Sequence, residues 1–167
     1  MTGKNVSAND NLGNLGNLGN LESLFAENMK NIEEYCKNNS LKLTPVRRKV
    51  FELLLKEKRG LGAYRILDLL REAGFKSQPP VAYRALDFLV ENGFAHKIGS
   101  QNSFVACTMP GEHHSPVFMI CKKCDSVSEA PSSPSVSDLS HSLKEAGFEV
   151  EQTIIEAEGV CSSCADR

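Results

Sequence analysis

The stretch Gln78 to Thr108, QPPVAYRALDFLVENGFAHKIGSQNSFVACT, changes its hydrophobic period once, and that change decides the fold. Pro79 and Pro80 suit the first turn of a helix, where no intrahelical N–H bond is lost, and Gly93 suits its end. From Phe94 the period drops to two: FAHKI and SFVACT flank GSQN, which predicts a β-hairpin. A helix running into a hairpin is half of a winged helix-turn-helix.

The other half lies upstream. LTPVRRKVFELLLKEKRG offers Thr44 as a helix cap, Pro45 at the first helical position and an apolar face of Val46, Val50, Leu53 and Leu54, and it stops near Gly60. GAYRILDLLREAG, residues 62–74, is a further amphipathic helix ended by Gly74, with Asp68 and Arg71 spaced as an intrahelical pair. Before both, Leu21, Leu24, Phe25, Ile32, Tyr35 and Cys36 share one helical face, which makes Cys36 a buried thiol. Three short helices and a hairpin within about 65 residues predict a helix-turn-helix with a wing.

In such a module the second helix of the pair, residues 80–92, enters the major groove of DNA. Tyr83 and Arg84 lie in its first turns, where Arg84 suits guanine or a phosphate and Tyr83 a thymine methyl or the backbone. Thr44, Arg47 and Arg48, at another helix start, suit phosphate contacts that position without specifying.

Charge points the same way. The net charge of −2 hides 15 Lys+Arg against 11 Asp+Glu in residues 1–100, and 4 against 10 in residues 101–167. A basic segment followed by an acidic one suggests that the first meets a polyanion and the second does something else. At the extreme N-terminus NLGNLGNLGNL is too rich in Gly and Asn to bury a core, so residues 1–20 are expected to be a disordered tail. No apolar run approaches the roughly 18 residues of a membrane helix, and no export signal is visible, so a cytoplasmic protein is expected.

That compartment is reducing, which favours thiols and metal ligands over disulfides for the six cysteines. Past Met109 to Glu112, the expected hinge, the chain changes character. PVFMI and SVSEA read as short strands joined through CKKC, residues 135–146 as a helix ended by Gly147, and FEVEQTIIEAEG as a longer strand leading into VCSSC. The expected fold is α+β: a winged-helix DNA-binding domain over 21–108, then a small α/β domain over 113–167.

Cys121, Cys124, Cys161 and Cys164 form two Cys-x-x-Cys pairs, and each pair turns two sulfurs toward one point. Four thiolates with no open position predict a structural zinc, provided that the intervening helix returns the last strand beside the first knuckle. A dithiol oxidoreductase is the competing reading, but its reactive pair belongs at a helix N-terminus, and neither pair is so placed in the expected elements. Because this domain has a small core, zinc is expected to staple it.

His96, Cys107, His113, His114 and Glu129 remain, on the hairpin arms, after the hinge and on the strand beyond the knuckle. They have no tight motif spacing, and no His-Glu-x-x-His or deaminase signature is present, so the residues alone give little support to an enzyme.

The order of LTPVRRKVFELL, AYRILDLLRE, PPVAYRALDFLVENGFAHKI, HHSPVFMICKKCDSVSE and CSSC resembles the ferric uptake regulator family, in particular its zinc-sensing members, over about Leu21 to Cys164. The resemblance implies a homodimeric, metal-activated repressor of transcription whose second domain dimerises and which binds double-stranded operator DNA. It implies a structural zinc on Cys121, Cys124, Cys161 and Cys164 and a regulatory zinc on His96, Cys107, His114 and Glu129, two ions per chain, with His113 a bystander. A His₂-Cys-Glu set is borderline-soft and closed, which suits zinc better than iron, and Cys107 is the residue that discriminates. An iron- or peroxide-responsive regulator is the alternative within the family.

Three departures accompany the resemblance. Val81-Ala82 stands where the family has Thr-Val, losing a hydroxyl at the start of the reading helix. Ser115, Pro116 and Gln152 are poor donors, so the further metal site of some members is not expected. The Asn-Leu-Gly repeat lies outside the family pattern.

Overall fold

The computed structural model describes residues 18–110, 114–130, 134–151 and 153–165. Most of the Asn-Leu-Gly repeat, the second half of the expected hinge, His113 and Gln152 lie outside them. The elements run α1 (Leu18–Asn38), α2 (Pro45–Lys56), β1 (Leu61–Gly62), α3 (Ala63–Glu72), α4 (Pro79–Glu91), β2 (Ala95–Ile98), β3 (Ser103–Ala106), β4 (Val117–Cys121), β5 (Val127–Ala130), α5 (Pro134–Glu145), β6 (Ile155–Gly159) and α6 (Ser162–Ala165).

The first half is a winged helix. Thr44 caps α2 by accepting from the Arg47 N–H at 3.3 Å, and Pro45 occupies the first turn. Gly93 follows α4 at φ 72, a left-handed conformation that ends the helix while the Phe94 N–H returns to the Leu89 carbonyl at 2.8 Å. The chain then enters β2 directly, which pairs antiparallel with β3 in the register His96 to Val105. Helices and wing close on one core that includes Ile32, Val50, Phe51, Ile66, Leu70, Leu86, Leu89 and Phe94, with Cys36 inside it.

Two details were not legible beforehand. α1 begins at Leu18, inside the stretch expected to be tail; once the face from Phe25 to Cys36 nucleates the helix, each added residue needs only propagation. β1 is only two residues long and adds a third strand to the wing, in the order β1-β3-β2. It is admitted by Gly60, where a Cβ would meet the Ser103 Oγ at 2.0 Å.

The second half is a three-stranded sheet ordered β5-β4-β6, with β4 antiparallel to β5 and parallel to β6. The expected long last strand is shorter: β6 starts at Ile155 because its partner β4 starts after Pro116, whose carbonyl accepts from the Ile155 N–H at 3.1 Å. Without a neighbour, residues before Ile155 have no ladder to join. Because β4 and β6 run parallel, Cys121 and the start of VCSSC emerge from the same end of the sheet. Among the described residues no helix is long and apolar enough to cross a membrane.

The two halves dock through the wing. Ile98 of β2 packs with Phe118 and Ile120 of β4, with Val105 and Val127 beside them. The Val127 N–H donates to the Lys58 carbonyl at 3.0 Å, next to an isolated bridge between Arg59 and Ser126. At the wing turn, Glu156 on β6 accepts from the Gly99 N–H at 2.6 Å and the Ser100 N–H at 3.0 Å.

Candidate metal centres and nucleic-acid face

The four-cysteine group is built by the sheet edge. Cys121 closes β4, and Cys124 returns in a turn that holds Asp125 at φ 57, its N–H on the Cys121 carbonyl at 2.9 Å. Lys122 is held to Gly159 of β6, and α6 folds Cys164 back so that its N–H meets the Cys161 carbonyl at 2.9 Å. The two knuckles thereby face each other, and donor atoms of all four cysteines lie within 4.8 Å of one another. Cys124 and Cys161 sulfurs stand 3.8 Å apart. A tetrahedron with zinc–sulfur bonds of about 2.3 Å has an edge of about 3.8 Å.

The cluster's chemistry calls for a cation. The Cys161 N–H, donating to the Cys121 sulfur at 3.3 Å, leads the contacts that hold Cys121 down to about 6. Cys164 is pushed up to about 12, first by its contact with Cys161 and then by the other thiols. One sulfur thus favours the thiolate while its neighbour keeps its proton, because further negative charge in so small a space is opposed; a divalent ion removes the conflict. None of the six cysteines is joined in a disulfide. Cys121 and Cys124 do not stand as an isolated pair, as a redox dithiol would.

The mixed group crosses the junction. His96 comes from β2, Cys107 follows β3 with its N–H on the Phe94 carbonyl at 3.0 Å, His114 precedes β4 and Glu129 lies on β5 opposite Phe118. Donor atoms of these four also lie within 4.8 Å of one another. Cys107 Sγ is 3.6 Å from His114 Nε2, which matches a mixed sulfur–nitrogen edge of about 3.6 Å around zinc. His114 Nε2 is 2.7 Å from Glu129 Oε1, a hydrogen bond, and His96 Nε2 is 3.7 Å from the same oxygen.

The group is deeply buried: the Glu129 side chain is 2% exposed and those of His114 and His96 are 8% and 9%. Among the described residues His96 Nε2 has no hydrogen-bond partner, and a buried imidazole nitrogen so placed beside three other donors suits a Lewis acid. Burial holds His96 below its ordinary value despite the nearby Glu129 charge, which keeps the ring in the neutral, ligating form. Burial works to raise Glu129, but Thr108, His96 and His114 together hold it below the usual carboxylate range. A neutral imidazole and an ionised carboxylate are the states that a metal requires.

On the other face of the winged helix, Tyr83 is 42% exposed. The side chain of Arg84, also exposed, has no ion pair or hydrogen bond among the described residues. α4 has no side-chain cap at Gln78, and Ala82 is buried, so the Val81-Ala82 departure leaves the helix start without a hydroxyl. Arg47 and Arg48 are differently placed. Arg47 donates to the Lys42 carbonyl at 2.6 Å and lies over the Phe88 ring at 3.7 Å, while Arg48 pairs with Glu33 and, at 3.5 Å, with Glu52. A phosphate has to share them with these partners. Tyr64, on α3, carries no sequence signal of its own and is 73% exposed. With Tyr83, Lys97 and Asn102 it lines a groove between the helices and the wing.

A winged helix joined to a thiol-stapled sheet, with a second donor cluster across the junction, defines a class of two-domain protein built to respond to a metal ion. The ferric uptake regulator family model matches residues 38–158, and the chain belongs to that family. It is 39% identical over 142 residues to the zinc uptake regulation protein of Escherichia coli (strain K12), covering 84% of this chain and 82% of the relative. A zinc uptake regulator complexed with zinc and DNA superposes with a TM-score of 0.80 at 38% identity, over 85% of this chain and 95% of that one. Holo XcZur superposes at 0.77, with 39% identity over 83% of this chain and 97% of that one. Apo XcZur, at 38% identity over 86% and 99%, reaches only 0.51. At nearly the same identity, the chain thus superposes better on holo than on apo XcZur.

Proposed function

We propose that the chain is a zinc-responsive repressor of transcription that binds operator DNA as a homodimer and controls genes of zinc uptake. The observation that carries this reading is the mixed cluster, two of whose donors lie on the wing and two beyond the junction. His96, Cys107, His114 and Glu129 hold a regulatory zinc, and Cys121, Cys124, Cys161 and Cys164 a structural one, giving two ions per chain. When bound by these four side chains, zinc would supply a redox-inert link between the two halves.

The residues supply the rest. His96 and Cys107 meet His114 and Glu129 only when the wing is docked, so filling the site and docking the wing are linked equilibria, and metal affinity and DNA affinity strengthen each other reciprocally. Moving a two-state equilibrium from 1:99 to 99:1 takes about 5.5 kcal/mol of differential binding, modest for four donors. The likeness to holo XcZur over apo XcZur supports the docked form as the metal-bound one.

Docked halves fix the positions of two α4 helices in a dimer. Arg84 and Tyr83 then read the major groove, while Thr44, Arg47 and Arg48 stand by the phosphates. Self-association is supported by apolar side chains left exposed on the second half, among them Met119, Phe148, Ile154 and Val160. Cys107, 2% exposed and inside the cluster, favours zinc over the iron- or peroxide-responsive alternative.

The test is binding to a promoter-derived duplex while buffered free zinc is varied, for the wild type and Cys107→Ser. Wild-type binding is expected to rise with zinc, and the variant, folded and retaining its structural zinc, to bind far more weakly. Equal binding by both proteins at every zinc level would reject the reading.

A further inference from the structure

We infer that Thr108 is a positioning residue that makes Glu129 a one-oxygen donor and so sets the coordination number, and with it the metal preference, of the mixed site. This rests on the reading of that site as the regulatory zinc site. Thr108 follows Cys107 directly and reaches across the junction: its N–H donates to Glu129 Oε2 at 2.9 Å and its hydroxyl to the same oxygen at 2.7 Å. The other oxygen, Oε1, is the one 2.7 Å from His114 Nε2 and 3.7 Å from His96 Nε2. The carboxylate is thus divided, with Oε2 satisfied by Thr108 and Oε1 turned to the remaining donors.

A carboxylate free at both oxygens chelates readily, which here gives five donors in place of four. Four donors of this softness suit Zn²⁺, whereas higher coordination with more oxygen suits Mn²⁺ and Fe²⁺. Two donors on Oε2 disfavour chelation, because a metal taking that oxygen displaces both hydrogen bonds that exposed Thr108 makes to a carboxylate whose own side chain is only 2% exposed. Groups that hydrogen-bond a ligand typically change metal affinity by about 10- to 100-fold when removed. Neither composition nor spacing signals this threonine, since its role exists only once β5 lies beside the end of the wing.

The experiment uses the full-length chain carrying its four-cysteine zinc, with the second site emptied by a mild chelator. Zinc affinity is measured by competition with a fluorescent chelator, and Co²⁺ is then added as a spectroscopic probe, for the wild type, Thr108→Val and Thr108→Ser. The valine variant keeps the shape and the backbone N–H but lacks the hydroxyl. It is expected to bind zinc about 10- to 100-fold more weakly, to lose discrimination between Zn²⁺ and Mn²⁺, and to show weaker Co²⁺ d–d bands as the site departs from tetrahedral. Serine is expected to restore all three, with thermal unfolding and the first zinc unchanged throughout.

Valine matching the wild type in affinity and spectrum overturns the inference while leaving the zinc site standing. Serine failing to restore what valine loses also overturns it, because the hydroxyl is then not the agent. A wild type that takes up only one ion per chain removes the regulatory site itself, and the inference with it.

Discussion

The four-cysteine cluster draws every donor from the second half, at one end of two adjacent parallel strands, whereas the mixed cluster draws two donors from each side of the junction and buries them. Both gather four ligand atoms within the same 4.8 Å. The first is assembled by local strand pairing, so it reinforces a fold that already brings its parts together. The second is assembled only by docking, so whatever occupies it acts on the arrangement of the halves. On the function proposed above, equal donor number with different connectivity separates a staple from a switch.

The halves differ in the same sense. The winged helix has its own apolar core running from Met29 to Phe104, while beyond the junction the described buried side chains include little more than Phe118, Ile120 and Cys121. Breaking the staple is therefore expected to have the largest effect. A structural zinc contributes about 10–16 kcal/mol, comparable to the whole stability of a typical domain at about 5–15 kcal/mol. Cys161→Ser should strip hydrogen-exchange protection from residues 114–165 while the helices α2 to α4 keep theirs. Unchanged protection in the second half would make the four-cysteine site dispensable.

The comparison is sharpened by a change that touches neither cluster. Arg84→Ala is expected to lower DNA affinity by about 1–3 kcal/mol, or roughly five-fold to 150-fold, with both zinc affinities unaltered. Wild-type binding by this variant in a mobility-shift titration would remove α4 as the reading helix.

The smallest effect is expected at the wing turn. Glu156 joins β6 to Gly99 and Ser100 without any metal, and Ser100, by hydroxyl and N–H, leads the contacts that hold its carboxyl below the ordinary value. A lowered folded value means that this clasp is present above the ordinary glutamate range and is lost as pH falls through the lowered one. Being exposed, it is screened by water, so Glu156→Ala should raise the zinc needed for half-maximal DNA binding only roughly two- to five-fold. No rise at all would show that this clasp adds nothing to the other metal-free fastenings, among them the contact of Ile98 with Phe118, the Val127–Lys58 hydrogen bond and the bonds from Thr108 to Glu129.

The same contrast explains what could be read in the sequence. Helices α2 to α4 and the wing were legible because capping, period and terminal glycines are local signals, and the four cysteines because their spacing is local too. Residue spacing did not reveal the mixed cluster; only family resemblance named His96, Cys107, His114 and Glu129. Their meeting depends on how Ile98 seats against β4, which leaves no mark in the spacing. Arg47 and Arg48 illustrate the same limit, since their charge was visible but Phe88 and Glu33, which engage them, are tertiary partners. β6 was expected to be longer because periodicity does not reveal where its neighbour begins.

The central claim is that the mixed cluster fixes the arrangement of the halves. It is tested most directly by fluorescence energy transfer between a label at Tyr64→Cys on the winged helix and one at Leu139→Cys on the second half. The measurement uses protein with its structural zinc in place, recorded as the second site is filled. The account expects the distance to settle on a single value with one equivalent of zinc per chain, and to stay broad or longer in Cys107→Ser at the same zinc level. An identical distance distribution with the site empty, with it filled and in the variant would contradict it.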